Sequence, residues 1–564
     1  MTQKATELVL DLLVQAGIDH VFGMPGGATI FLYDGLVDRQ DKIRTVLARQ
    51  EGAAACMADM YGRLTSKPGV MIAQGAWAGS NGAFGVIEAY LAGSPMVVLA
   101  DLSDYAGLVQ HGPYQCMGGE YGSADLRGIF RSITKYTTVA NTADEFVHGT
   151  ALALKHATTG RPGPTAVLFR WDAALSEIDP SRIRPPLYPL KGYLNVSRPA
   201  ISTEDAERAA DTLLSARAPV AIAGRGVHAS RAYEELKALA EELAMPVATT
   251  YMGKSALPET HELAVGTIGQ IGQEAANRSV EDADVLLVVG SCLGPENTKM
   301  LSPRFIRPDR QAIVQIDIEP RNIGWTYPVA QGIPADAKGA LQRILAAVRA
   351  RDATINRRWR LEALRALKAK TGFFAGEAYR SESEPILPER IVGALNRLIR
   401  AEDLVVLDCG NSRMFMAKLF QSKSPGQVVA PGGGAGVGWG IPAALSAQML
   451  RPERRVVAVC GDGGMLMMLH ALETARQYCL PVTYVVMNNA GLCNVSDFQA
   501  PGRRIATEYE ETDFASIAVS MGCAGVKVRR PAELEPAIEA ALADERPSVV
   551  DVSTAKQPHF VLMS

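Results

Sequence analysis

The chain has 564 residues, 48% of them hydrophobic and 21% charged, with a formal net charge of −3. That length allows about three domains, each with its own core, and the weak mixed charge, without a strongly basic stretch, argues against a nucleic-acid partner. No run of ~18 apolar residues occurs, so no membrane-spanning helix is expected.

The N-terminus, MTQKATELVLDLLVQAGI, breaks its apolar pattern with Glu7, Asp11 and Gln15. This predicts an amphipathic helix, not a secretory signal. Apolar runs at Met96–Ala100 and Thr165–Phe169 read as strands near glycines and helix-like stretches. Ile178–Ala200 is proline-rich and aperiodic and reads as a linker. Ser202-Thr203-Glu204-Asp205 then looks like an N-cap with an acidic first turn. Further strands are expected at Val220–Ala223, Val285–Val289 and Ile313–Ile318. Ala353–Pro388 is charged, partly helical, and reads as a second linker. Beyond it come Leu404–Leu407, Val456–Cys460, Val482–Met487 and Val549–Val552. Continuous apolar strands alternating with helices predict an α/β chain whose parallel sheets are covered on both faces. The linkers separate segments 1–178, 195–350 and 385–564, with no internal repeat visible. The eight cysteines include no CxxC pair and no ligand spacing with histidine, so they read as reduced, mostly buried thiols of a cytoplasmic protein without a zinc site.

The sharpest motif is in the third segment. A strand ends at Gly461-Asp462-Gly463-Gly464, a helix-like stretch follows, and the next strand ends at Asn488-Asn489, with Asp462 and Asn489 27 residues apart. A diphosphate concentrates negative charge, which Mg²⁺ neutralises through hard oxygen ligands. A carboxylate and a carboxamide at adjacent strand ends can hold that ion together. Glycines let backbone N–H groups approach the phosphates, and a helix N-terminus adds positive potential. A lone GDG is usually a plain strand-to-helix turn; the Asn-Asn at the next strand end shifts the weight to a site.

At these residues the sequence resembles the thiamine-diphosphate enzyme superfamily. The resemblance implies that Asp462 and Asn489 are Mg²⁺ ligands, with Gly491 giving a backbone carbonyl, and that Gly461, Gly463 and Gly464 meet the cofactor. Thiamine chemistry needs a carbanion at C2, made by the cofactor's own aminopyrimidine once a carboxyl group hydrogen-bonds its ring nitrogen. Glu51, just ahead of an alanine-rich run, is the candidate. Taken alone it reads as a helix-terminal carboxylate stabilised by the dipole.

Its surroundings resemble the acetolactate synthase group along most of the segment. Val21–Leu36 (VFGMPGGATIFLYDGL), the Glu51 helix, Gln74–Leu99 with Asn81, Gly160–Phe169 and Gly432–Gln448 carry the likeness. It implies pyrimidine-binding, central and diphosphate-binding domains, each a doubly wound parallel sheet. It implies cofactor contacts from Pro25, Gly26, Asn81 and Val437, and a catalytic Gln115. Gly27, Ala28, Trp77 and Cys493 would line the substrate pocket. It also implies a homodimer or homotetramer with each site between two subunits, Glu51 of one facing Asp462 and Asn489 of the other.

The chain departs from that group in several places. Trp77 replaces a proline near the reaction centre and reads as a wall reshaping the pocket, or as a packing aromatic. Val437 is smaller than the usual apolar prop. Arg170-Trp171 stand where proline and lysine are usual, and Cys493-Asn494 where a glycine and an apolar residue are common. His111, four residues before Gln115, is a candidate acid/base or hydrogen-bond donor to a substrate carbonyl, although a lone loop histidine is more often structural or solvent-facing. Gly266–Arg278 resembles a stretch that helps hold FAD, but Gly290–Met300 lacks the matching acidic, arginine-bearing segment, so FAD stays open. The resulting expectation is a carboligase acting on 2-oxo acids or related ketones. The alternative is a C–C lyase or decarboxylase, of 2-hydroxyacyl-CoA lyase or dione-hydrolase type. A non-catalytic homologue should have lost Glu51, Asp462 or Asn489, and all three are present.

Overall fold

A computed structural model describes residues 2–104, 114–353, 355–500 and 502–558. His111 lies outside the described residues.

Three six-stranded sheets, each wholly parallel, carry the fold. In the first, the spatial order is Arg44–Leu47, His20–Met24, Gly69–Ala73, Met96–Asp101, Pro164–Phe169, Tyr136–Ala140. In the third it is Val428–Val429, Leu404–Leu407, Val456–Gly461, Thr483–Asn488, Ser548–Ser553, Ala524–Val528. Numbered along the chain, both sheets run 2-1-3-4-6-5. The two ends of the protein therefore share one topology, a structural repeat that the sequence does not display. The central sheet differs, with order 3-2-1-4-5-6 built around Pro219–Ala223 and Val285–Val289.

Every strand expected above is present, within a residue or so of its predicted ends. The N-terminal helix spans Ala5–Gln15. The Ser202 hydroxyl accepts the Asp205 N–H at 3.0 Å and starts the Thr203–Ser215 helix. The first linker holds more structure than its composition suggests, a short helix at Leu190–Leu194, and the second contains the helix expected in part of it, Arg357–Thr371. Gln3–Lys4 pairs antiparallel with Glu177–Ile178, which ties the first linker to the chain's start. All eight cysteines are free; Cys56, Cys460, Cys493 and Cys523 are buried, and Cys479 is exposed. No helix among the described residues is long and apolar enough to cross a membrane.

One hydrophobic core joins the two like domains. It runs from Phe22, Met57 and Val98 to Trp439, Ala444 and Val486. The Glu51–Thr65 helix packs on the Gly440–Leu450 helix at its centre. Both are rich in alanine and glycine, which lets the backbones approach closely. The central domain has its own core. It is tied to the third domain by the buried Lys254–Glu259 pair at 2.5 Å, whose carboxylate also takes the Ser422 N–H and hydroxyl at 2.8 Å.

Candidate active site

Open parallel sheets bind ligands where the strand order reverses, beyond the carboxyl ends of strands. In the third domain that point lies between Leu404–Leu407 and Val456–Gly461. A cavity of about 100 Å³ sits there, lined by Cys409–Ser412, Val437, Gly461–Gly464, Asn489 and Gly491–Val495, among others. Among the described residues, none of the N-terminal domain lines it.

Asp462 opens the Asp462–Met467 helix at the end of its strand and is 3% exposed. Its Oδ1 accepts the Gly463 N–H at 2.7 Å and the Tyr509 hydroxyl at 2.9 Å. Its Oδ2 accepts the N–H groups of Asn489 at 3.0 Å and Gly491 at 3.3 Å. Burial raises the carboxyl's pKa, and these hydrogen bonds pull it back. The two sequence motifs are thus clasped together across 27 residues.

Several of the cavity's other polar atoms have no protein partner among the described residues. Asn411 Oδ1, Asn489 Oδ1, Asn494 Oδ1 and the Ser412 hydroxyl are buried without a partner among the described residues. A buried polar group left alone costs ~1–3 kcal/mol, so four around one cavity fit a polar, charged occupant. A Cβ on Gly461 would meet open space, and one on Gly464 would fall 2.1 Å from Asp408 Oδ2. This donor set fits a diphosphate and a hard cation: carboxylate, carboxamide oxygens and backbone groups. Among the described residues no group of three His, Cys, Asp or Glu offers an alternative metal centre.

Val437 hangs on a glycine-rich loop. Asp408 accepts the Gly438 N–H at 2.9 and 3.0 Å and the Gly440 N–H at 2.9 Å, fixing one end of it. Burial pushes the Asp408 carboxyl up to about 6. Cys493 is buried at the cavity wall, with its thiol pushed up to about 11 by burial.

The candidate residues of the N-terminal domain gather near its own switch point, between His20–Met24 and Gly69–Ala73. Asp101 organises it. Its carboxylate accepts the Ala28 and Gly75 N–H groups, each at 3.1 Å, the Ser103 hydroxyl at 3.0 Å and the Trp171 indole at 3.2 Å. Gly27 has φ +55, and a Cβ there would lie 2.4 Å from Asp101 Oδ2, so only glycine fits. Gly26, after Pro25, is extended, and its N–H reaches Thr29 Oγ1 at 3.2 Å. Glu51 opens its helix, is 8% exposed, and accepts the Asn81 carboxamide N–H at 3.2 Å. Gln115 has φ +53, and its carboxamide oxygen takes the Gln74 Nε2. Trp77 stands 43% exposed on the Gly75–Gly79 helix, so within one chain it packs as no core aromatic does.

The departure at Arg170-Trp171 has a local role. Trp171 braces Asp101 and meets the Phe31 ring edge-on at 6.1 Å. Arg170 pairs with Asp104 at 2.8 Å. Sequence reasoning missed Asp408, Asn411, Ser412 and Tyr509. The first three follow the Leu404–Leu407 strand, and the strand-end rule applied to Gly461 would have found them.

Comparison with known proteins agrees. Family models for the thiamine pyrophosphate enzyme N-terminal TPP binding domain, central domain and C-terminal TPP binding domain match residues 3–120, 206–344 and 408–552. A probable acetolactate synthase large subunit of Methanocaldococcus jannaschii is 32% identical, over 97% of this chain and 91% of its own. The acetolactate synthase large subunit of Haemophilus influenzae and isozyme 3 of Escherichia coli are each 30% identical, over 99% of this chain and 96% of theirs. The chain belongs to the thiamine pyrophosphate enzyme family. Within it, the chain is a thiamine-diphosphate-dependent carboligase of the acetolactate synthase-like group, and these relatives do not favour the lyase alternative.

Proposed function

We propose that this enzyme joins a donor derived from a 2-oxo acid or related ketone to a second carbonyl compound, at a site shared by two subunits of a homodimer or of a tetramer built from dimers. The observation that carries the reading is the orphaned Asn489 Oδ1 beside Asp462, in a cavity that no N-terminal residue lines among the described residues. Asp462, Asn489 and the Gly491 carbonyl would hold Mg²⁺, and the Gly461, Gly463 and Gly464 turn would lie against the diphosphate. When bound, thiamine diphosphate would supply a nucleophilic carbon for the donor carbonyl and an electron sink for the pair released when the donor's adjacent C–C bond breaks. Glu51 of the partner subunit, oriented by the partner's Asn81, holds the proton at the pyrimidine ring nitrogen. Val437 gives the cofactor an apolar prop. Pro25 and Gly26 lie against the pyrimidine side. Gly27, Ala28, Trp77 and Cys493 would line the substrate pocket, Gln115 would be catalytic there, and His111, outside the described residues, is kept as an acid/base candidate on its chemistry alone.

FAD stays open in this reading. Within the Gly266–Arg278 stretch, Asn277 holds both the N–H and the carbonyl of Gly269, and Gln273 and Thr267 bind the Lys418 and Ala417 carbonyls.

The test is a panel of 2-oxo acids and ketones, paired with carbonyl acceptors, thiamine diphosphate and Mg²⁺, with products followed by NMR. Coupled hydroxyketone or hydroxy-acid products support the proposal. Exclusive formation of protonated, uncoupled aldehydes overturns it.

A further inference from the structure

The Gly432–Gly438 loop that carries Val437 is moulded onto one face of the Ala83–Ala92 helix of the same chain. A Cβ on Gly436 would lie 2.4 Å from the Phe84 ring, one on Gly434 2.8 Å from Glu88 Oε2, and one on Gly433 3.2 Å from Leu91 Cβ. Phe84, Glu88 and Leu91 are spaced i, i+4, i+7, a single helical stripe. Glycine is needed along the loop because the helix comes so close.

Glu88 is the polar centre of that stripe, at 2% exposure. Its two oxygens accept the Gly432 N–H and, at 2.9 Å, the Ala435 N–H. Ala435 sits at φ +44, a conformation an alanine holds only when its surroundings impose it. The Arg63 guanidinium balances the charge, 2.6 Å from Glu88 and 2.7 Å from Asp59, and also takes the Ala430 carbonyl at 2.7 Å. Glu88 therefore meets three donors and no acceptor, which only a carboxylate satisfies.

We infer that Glu88 is a positioning residue for the cofactor. It clamps the near end of the loop while Asp408 clamps the far end, and together they fix Val437 at the cavity wall. In the dimer each site then draws on two N-terminal domains. Glu51 comes from the partner subunit, and Glu88 acts from the chain that holds the diphosphate. The inference rests on the proposed placing of Val437 against the cofactor.

The experiment uses the full-length protein and the variant Glu88→Gln, whose amide would point N–H at a donor. Hydrogen exchange of the cofactor-free protein, read by mass spectrometry, comes first. Amides 430–440 should exchange faster in the variant, while Leu404–Leu407 and Val456–Gly461 stay as protected as in wild type. Calorimetric titration with thiamine diphosphate and Mg²⁺ comes second. Kd should rise about tenfold, the factor one charge-assisted hydrogen bond is worth. Unchanged loop exchange overturns the clamp. Faster loop exchange with unchanged Kd overturns its link to the cofactor. Wild type that binds no thiamine diphosphate refutes the cofactor reading, and the exchange arm judges the clamp on its own. Should Glu88→Gln fail to fold, Glu88→Asp keeps the charge for Arg63 but withdraws it from the loop, and the same two results decide.

Discussion

Trp439 and Asp59 are 380 residues apart, and the indole Nε1 donates to the Asp59 carboxylate at 2.9 Å inside the core shared by the first and third domains. The Trp439 ring also lies under the Arg63 guanidinium, 4.4 Å from its centroid. Trp439→Phe removes the donor and leaves a gap beside a buried charge. We expect a loss of about 2–4 kcal/mol of stability. Urea melts followed by fluorescence and circular dichroism check this, and an unchanged midpoint would contradict the pairing's importance.

Asp462→Ala is expected to keep the fold and to abolish tight binding of Mg²⁺ and thiamine diphosphate. Chelation of the wild type should mimic it, and added Mg²⁺ should restore only the wild type. Calorimetry showing wild-type affinity in the variant would remove Asp462 from the ligand set.

Glu51→Gln keeps shape and burial but has no acidic proton for the pyrimidine nitrogen. Turnover and C2–H/D exchange of bound cofactor should each fall ~10²–10⁴-fold, the usual worth of acid/base assistance. Exchange at the wild-type rate would reduce Glu51 to a helix-terminal carboxylate.

The shared site predicts complementation. Glu51→Gln and Asp462→Ala homodimers are each inactive, but random exchange of subunits makes mixed dimers with one intact site, recovering about a quarter of wild-type activity. Light scattering should show no active monomer. Mixtures that stay inactive after verified exchange would place Glu51 and Asp462 of one site in the same chain.

Asp104 gives a pH test. Its carboxyl is pushed up to about 6, chiefly by burial, against an ordinary value of 3.8; Arg170 pulls it back, and Oδ1 has no partner among the described residues. The folded protein binds this proton more tightly than the unfolded chain. Its contribution is therefore greatest below about pH 4, declines as pH rises to about 6, and is constant above. Relative to Asp104→Asn, the wild type should gain on the order of 1–2 kcal/mol between pH 7.5 and 5, after allowance for screening. Parallel melts at both pH values measure it; an equal pH dependence in the two proteins would contradict the raised pKa.

What the sequence made legible was whatever sits next to its own cause. Gly461-Asp462 and Asn489 are strand-end residues beside long apolar runs, so both strands and ligand candidates could be located together. Short strands such as His20–Met24 and Gly69–Ala73 mix glycine and methionine with apolar residues and give little periodicity. The common 2-1-3-4-6-5 order was invisible because strand order depends on long-range pairing. Glu88 and Asp408 read as ordinary acids, since their partners are backbone N–H groups of a loop about 345 and 30 residues away. Tyr509 reaches Asp462 for the same reason, by chain return and not by spacing.

The Glu51–Thr65 helix is buried almost throughout from Glu51 to Gly62, and its partner helix begins at Gly440. Roughly 375 residues separate the two, and at ~5–20 residues per second the ribosome needs about 20–75 s to make them. For that interval the newborn N-terminal domain shows an alanine-lined seam, with Asp59 and Arg63 set into it, to the surrounding solvent. Burial of that seam therefore has to wait for the chain's last third to be made.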